Sequence, residues 1–203
     1  MSVKLYRGDL PTGFDPGKSV AIDTETMGLN PRRDRLCVVQ LSTGDGNAHV
    51  IQLEGKVPQA PNLKALLENP AVLKIFHFAR FDVAVLRHSL GAETTPLYCT
   101  KIASKIARTY TDRHGLKDIL KELLGIEANK QQQSSDWGTH ILSDAQKQYA
   151  AQDVIYLHEL KARLDQMLER EGRMDLARAC FAFLPARVSL DLGGWGEEDV
   201  FAH

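Results

Sequence analysis

Four carboxylates in this chain of 203 residues lack a cation at the spacings where one would offset them. Asp23 and Glu25 follow the apolar run Val20, Ala21, Ile22. An extended chain puts both acids on one side, because strand side chains alternate with period 2. On a helix, Asp82 has Phe78, Ala79, Val85 and Leu86 three and four residues away, and Asp153 has Tyr149, Ala150, Tyr156 and Leu157. Other acids differ: Glu159 precedes Arg163 by four residues, and Asp118 precedes Lys121 by three, spacings that allow exposed ion pairs. A carboxylate buried without a partner must neutralise, find a distant cation or bind a metal. If the four converge, a divalent cation relieves the repulsion between Asp23 and Glu25. An all-oxygen ligand set favours magnesium or manganese over zinc. Tyr149 and Asp153 stand four residues apart and project from one helical face. A tyrosine there can hold a water at the metal. With an ordinary pKa of about 10 it orients that water, and the metal supplies most of the activation. For Asp82 an ion pair with Arg80 or a more distant arginine is the alternative.

The elements that must position these acids follow from the hydrophobic pattern. "VKLY" reads as a short edge strand, and "SVAID", "LCVVQLS" and "NAHVIQL" as three consecutive strands, with "TGDGN" a hairpin joint between the last two. "APNLKALLENP" reads as a helix with Asn62 as N-cap and Pro70 beyond its end. "AVLKIFH" is a further strand, followed by a helix from about Phe78 to Leu90 that Gly91 stops. After "PLYCT" the pattern turns helical, with "CTKIASKIAR" and "HGLKDILKELLG" as helices and "NKQQQSSDWGTHIL" as a polar loop. Ser143 opens the next helix with Gln146 completing a capping box. Val154, Leu157, Leu160, Leu164, Met167 and Leu168 give that helix one buried stripe. Strands first, then helices, indicate an α/β fold with a mixed sheet. The domain is expected over residues 1–170. An extension over 171–203, ending in an irregular apolar tail, is expected to pack on the domain or on a neighbouring subunit.

A net charge of −1 disfavours a protein that coats long nucleic acid by charge alone. Cys37, Cys99 and Cys180 are scattered, which suggests reduced thiols in a cytoplasmic protein. "MSVKLYRGDLPTG" reads as no signal peptide, and no run approaches the roughly 18 apolar residues of a membrane span. No membrane partner is expected. Lys101, Lys105 and Arg108, followed by Arg113, His114 and Lys117, form either a phosphate-binding face or a solvated one. Trp137 is expected to anchor the polar loop.

"DTETMGL", "KIFHFARFDVAVL", "RHGLKDILKELLGIE", "NKQQQSSDW" and "AAQDVIYLHEL", spread over residues 18–168, together resemble the DEDD exonucleases of the tyrosine subtype. That family includes ribonuclease D and the proofreading domains of DNA polymerases. The short length and the ending "LDLGGWGEEDVFAH" resemble its compact bacterial branch, the nano-ribonuclease C proteins. The resemblance implies a single ribonuclease H-like domain. It implies two divalent ions, Mg2+ or Mn2+, held by Asp23, Glu25, Asp82 and Asp153, with Asp23 bridging and Tyr149 positioning the water. It implies substrate contacts from Thr26, Leu29, His77 and Phe81, with Leu29 wedged between the last two bases. It further implies 3′–5′ hydrolysis of very short RNA 3′ ends, down to dinucleotides, with DNA as a second substrate, in a ring-like homo-octamer. One departure stands out: many relatives carry Asn where this chain has Phe78. Two rival readings are exonucleolysis of longer RNA or DNA ends, duplex included, and a catalytically silent nucleic-acid-binding module. The intact set of four acids and a tyrosine argues against the silent module.

Overall fold

β-branched and leucine-rich runs give six strands among the described residues, β1 (Val3–Arg7), β2 (Ser19–Thr26), β3 (Leu36–Ser42), β4 (Ala48–Gln52), β5 (Leu73–Phe76) and β6 (Leu97–Cys99). The computed structural model describes residues 2–55, 58–128, 132 and 134–203. The strands form one sheet in the order β1-β4-β3-β2-β5-β6. β2 pairs antiparallel with β3 and β3 with β4, whereas β1–β4, β2–β5 and β5–β6 are parallel. The mixed α/β sheet read from the pattern is therefore present. β6 has too few residues for alternation to register, and the sequence reading passes over it.

Among the described residues seven helices flank the sheet: α1 (Pro61–Glu68), α2 (Ala79–Leu90), α3 (Thr100–Ala107), α4 (Leu116–Leu124), α5 (Asp144–Ile155), α6 (Leu157–Arg170) and α7 (Met174–Gly193). α5 lies across β2, β3 and β4, while α2 packs on α7. The capping box at Ser143 and Gln146 opens α5 as expected. The expected single helix after it is divided at Tyr156 into α5 and α6, and the stripe continues across the break. Val154, Leu157, Leu160, Leu164 and Leu168 are buried, whereas Met167 is only half-buried.

Three expectations are corrected. Asn62 is not the N-cap of α1; Ala60 holds that position without a side-chain cap, and Pro61 opens the helix. The cap comes from afar, where Asp9 accepts from the backbone N–H groups of Asn62 at 2.8 Å and Leu63 at 2.9 Å. Local pattern could not reveal a cap supplied across more than 50 residues of chain. Most of the supposedly irregular tail is the helix α7, with Ala177, Phe181, Leu184 and Val188 buried at helical spacing. Pro185 removes one N–H, but the buried stripe against α2, α3 and β6 outweighs that loss. Only residues beyond Gly194 are irregular. Arg108 leaves the supposed basic face, because it is fully buried, donates to Ser104 and the Arg113 carbonyl, and pairs with Glu122.

Of the polar loop expected over 129–142, residues 129–131 and 133 lie outside the described residues. Within the rest, Trp137 is buried and anchors the segment. Among the described residues no helix is long and apolar enough to cross a membrane. Asp9→Ala removes the α1 cap and is expected to lower unfolding free energy by about 1 kcal/mol, read from urea denaturation.

Candidate metal centre

β2 runs through both acids. Its pairing with β3 extends from Ala21 opposite Ser42 to Thr26 opposite Leu36, with an irregularity between Glu25 and Thr26. Asp23 and Glu25 share one face of this paired strand, and Thr24 points to the other. α5 brings Asp153 onto the acid face. Oxygens of Asp23, Glu25 and Asp153 lie within 4.8 Å of one another. Asp82 is not in that set. It stands in the first turn of α2, where Thr24 Oγ1 donates to its Oδ1 at 2.7 Å. The arginine alternative for Asp82 does not hold: Arg80 instead pairs with Asp191 through two bonds of 2.7 Å and reaches the Gly196 carbonyl.

Two full charges at about 5 Å repel by about 3 kcal/mol at an effective dielectric of about 20. Proton affinities rise accordingly. Burial, then the charges of Asp82, Asp153 and Glu25, hold Asp23 well above the usual carboxylate range. Burial with Asp153 and Asp82 pushes Glu25 up to about 9. Burial pushes Asp82 up to about 7 against the Thr24 hydrogen bond. Burial also pushes Asp153 to about 7, opposed by the charge of Lys117 and the hydroxyl of Tyr149. Burial and the neighbouring acids raise the Tyr149 phenol, so it remains a neutral hydroxyl. Its ring packs 6.0 Å from that of Trp137. Together the four acids cannot ionise at neutral pH without added positive charge. Their hard oxygens fit a divalent cation of the magnesium type.

The other expected contacts are distributed around this cluster. Thr26 follows the irregularity in β2 and donates to the Gly28 carbonyl. Leu29, three residues past the end of β2, is 87% exposed. His77 bonds Thr100 Oγ1 through Nδ1 at 2.9 Å, and burial with the charge of Lys101 depresses it to about 3. Phe81 is half-buried against the core. Phe78 caps α2 at φ 70°, a left-handed conformation that Asn adopts readily and Phe does not. Lys101 Nζ lies 4.1 Å from its ring centroid.

Sequence reading missed three residues of this site. Gln40, opposite Asp23 on β3, donates through Nε2 to Asp23 Oδ2 at 2.6 Å. A lone polar residue in the run "LCVVQL" was the available signal. Thr24 was hidden by lying between the two acids on the opposite strand face. Lys117, grouped with a basic face in the sequence, instead places its ammonium 5.9 Å from the Tyr149 ring centroid and acts on Asp153.

The 3′–5′ exonuclease family profile matches residues 14–169. The chain is 37% identical to ribonuclease D of Acidiphilium cryptum over 156 residues, 77% of this chain and 39% of that protein. It thus spans about two fifths of the length of such curated relatives. The solved structure of Brucella melitensis NrnC with bound Mg2+ is 58% identical, covers 100% of both chains and superposes with a TM-score of 0.96. The same Brucella protein bound to pGG is 59% identical, with 100% and 99% coverage and a TM-score of 0.96. The mixed six-stranded sheet is accordingly a ribonuclease H-like exonuclease fold.

The raised proton affinities have a measurable sign. Between the ordinary carboxylate pKa of about 4 and the folded values near 7 and 9, the cation-free folded state holds more protons than the unfolded state. In that window these acids lower stability as pH rises. Buried His77 and His49 act oppositely below about 6.5, and Lys74, lowered to about 8 by burial, does so above that value. In EDTA the melting temperature is therefore expected to fall between about pH 6.5 and 8. Asp153→Asn should flatten that fall, and excess magnesium should reverse it.

Proposed function

Because this chain belongs to the 3′–5′ exonuclease family, we propose that it is a metal-dependent 3′–5′ exoribonuclease acting on very short RNA, down to dinucleotides. Nucleoside 5′-monophosphates are the products. The observation that carries this reading is the convergence of Asp23, Glu25 and Asp153 within 4.8 Å, beside Asp82 and a neutral Tyr149. The full-length likeness to NrnC, solved with Mg2+ and with pGG, supports both the cation and the short RNA substrate.

Asp23, Glu25, Asp82 and Asp153 would hold two divalent ions, Mg2+ or Mn2+, which when bound would supply the charge that activates water and stabilises the leaving 3′-oxygen. Tyr149 orients the water through its hydroxyl. Thr24 fixes Asp82, so that acid is held in one orientation. Leu29 enters between the last two bases, and Phe81, Thr26 and His77 border the terminal nucleotide. The fold divides into an exonuclease domain over 1–170 and an extension over 171–203 that serves assembly. Exposed Leu176, Phe183, Trp195 and Phe201 on that extension support its being covered by other copies, in a cytoplasmic homo-octamer.

The test is a time course with magnesium, then manganese, on a labelled RNA dinucleotide, a longer single-stranded RNA and blunt duplex DNA. Fastest turnover of the dinucleotide is expected. Equal or faster trimming of the longer RNA or the duplex would replace the reading with a processing or DNA-directed exonuclease. Asp153→Asn should lower turnover more than about a hundredfold, since even outer partners of metal ligands are worth about 10–100-fold. A folded variant with unchanged turnover would refute the metal assignment. Trp195→Ser with Phe201→Ser is expected to reduce the sedimentation coefficient.

A further inference from the structure

Gln40 occupies a position where packing alone favours leucine. Residues 36–41 of β3 are otherwise apolar, and Gln40 is completely buried. Its Oε1 has no hydrogen-bond partner among the described residues. A core amide left half-satisfied destabilises a fold relative to an apolar side chain of similar size. The compensation lies across the ladder. Gln40 is directly opposite Asp23, so the two side chains leave the sheet on the same face as neighbours. Its Nε2 donates to Asp23 Oδ2 at 2.6 Å, a short bond. No other side chain among the described residues hydrogen-bonds the Asp23 carboxylate. With Oδ2 tethered, the side-chain torsions of Asp23 are fixed and Oδ1 is left for another partner.

We propose that Gln40 is a positioning residue for the cation centre, its amide holding the Asp23 carboxylate in the orientation that a divalent cation requires. This rests on the reading of Asp23 as a cation ligand. Outer partners of this kind typically govern metal affinity through the ligand they orient. A neutral donor suits the task, since a cation at position 40 would compete with the metal and an anion would add to the repulsion.

Gln40→Met keeps the volume and removes the donor; Gln40→Leu is the second variant, and Asp23→Asn the reference. Two quantities are read: the magnesium concentration giving half-maximal thermal stabilisation, and kcat and KM on an RNA dinucleotide. Gln40→Met is expected to need about tenfold or more magnesium and to lose kcat by about the same factor, with KM for RNA unchanged. An unchanged magnesium midpoint and kcat, with the response lost in Asp23→Asn, would overturn the inference alone. A full magnesium response in Asp23→Asn would overturn the cation reading itself, and this inference with it. If neither Gln40 variant folds in EDTA, Gln40 is a packing residue and the positioning role is excluded.

Discussion

Repulsion among carboxylates that the fold forces into a poorly solvated space governs this molecule. β2 presents Asp23 and Glu25 on one face, and α5 adds Asp153 within 4.8 Å. The cluster answers its own field by retaining protons, with Glu25 raised to about 9 and Asp82 and Asp153 to about 7. The rest of the site moderates that field. Thr24 and Gln40 are neutral donors that each engage one acid, and Lys117 contributes positive charge from α4. None neutralises the set, and a cation has a reason to enter.

The sheet makes this costly arrangement tolerable. β2 and β3 are central, β3 is buried throughout while Asp23, Glu25 and Thr26 of β2 are half-buried, and the pairing of the two strands fixes which residues share the acid face. A one-residue slip would turn Asp23 toward α2 and Thr24 toward α5, so register is tied to the site as tightly as to the core. α2 is secured from its far side by Arg80 on Asp191 and Gly196, near the end of α7. Asp82 therefore depends on chain more than 100 residues downstream.

Much of this was legible in the sequence because it depends on period and local context. Asp23, Glu25, Asp82, Tyr149 and Asp153 stood out as polar residues in apolar surroundings, and β1 to β5 as alternating or continuous runs. What escaped were effects carried by distant partners. The α1 cap comes from Asp9, the burial of Arg108 from Glu122, and the helicity of α7 from surfaces that outweigh Pro185. Gln40 was legible only as an anomaly, since its purpose lies on the neighbouring strand. Phe78 shows the same limit: its left-handed backbone and its contact with Lys101 are properties of the folded turn.

The acids come from widely separated parts of the chain: two from β2, one from α2 and one from α5. No early fragment carries the full cluster, and α5 must dock across β2, β3 and β4 before the last carboxylate arrives. On the reading of this cluster as a nuclease site, competence is acquired only when α5 docks, and a segment that stops short of Asp153 carries the acids of β2 and α2 without the carboxylate that completes them.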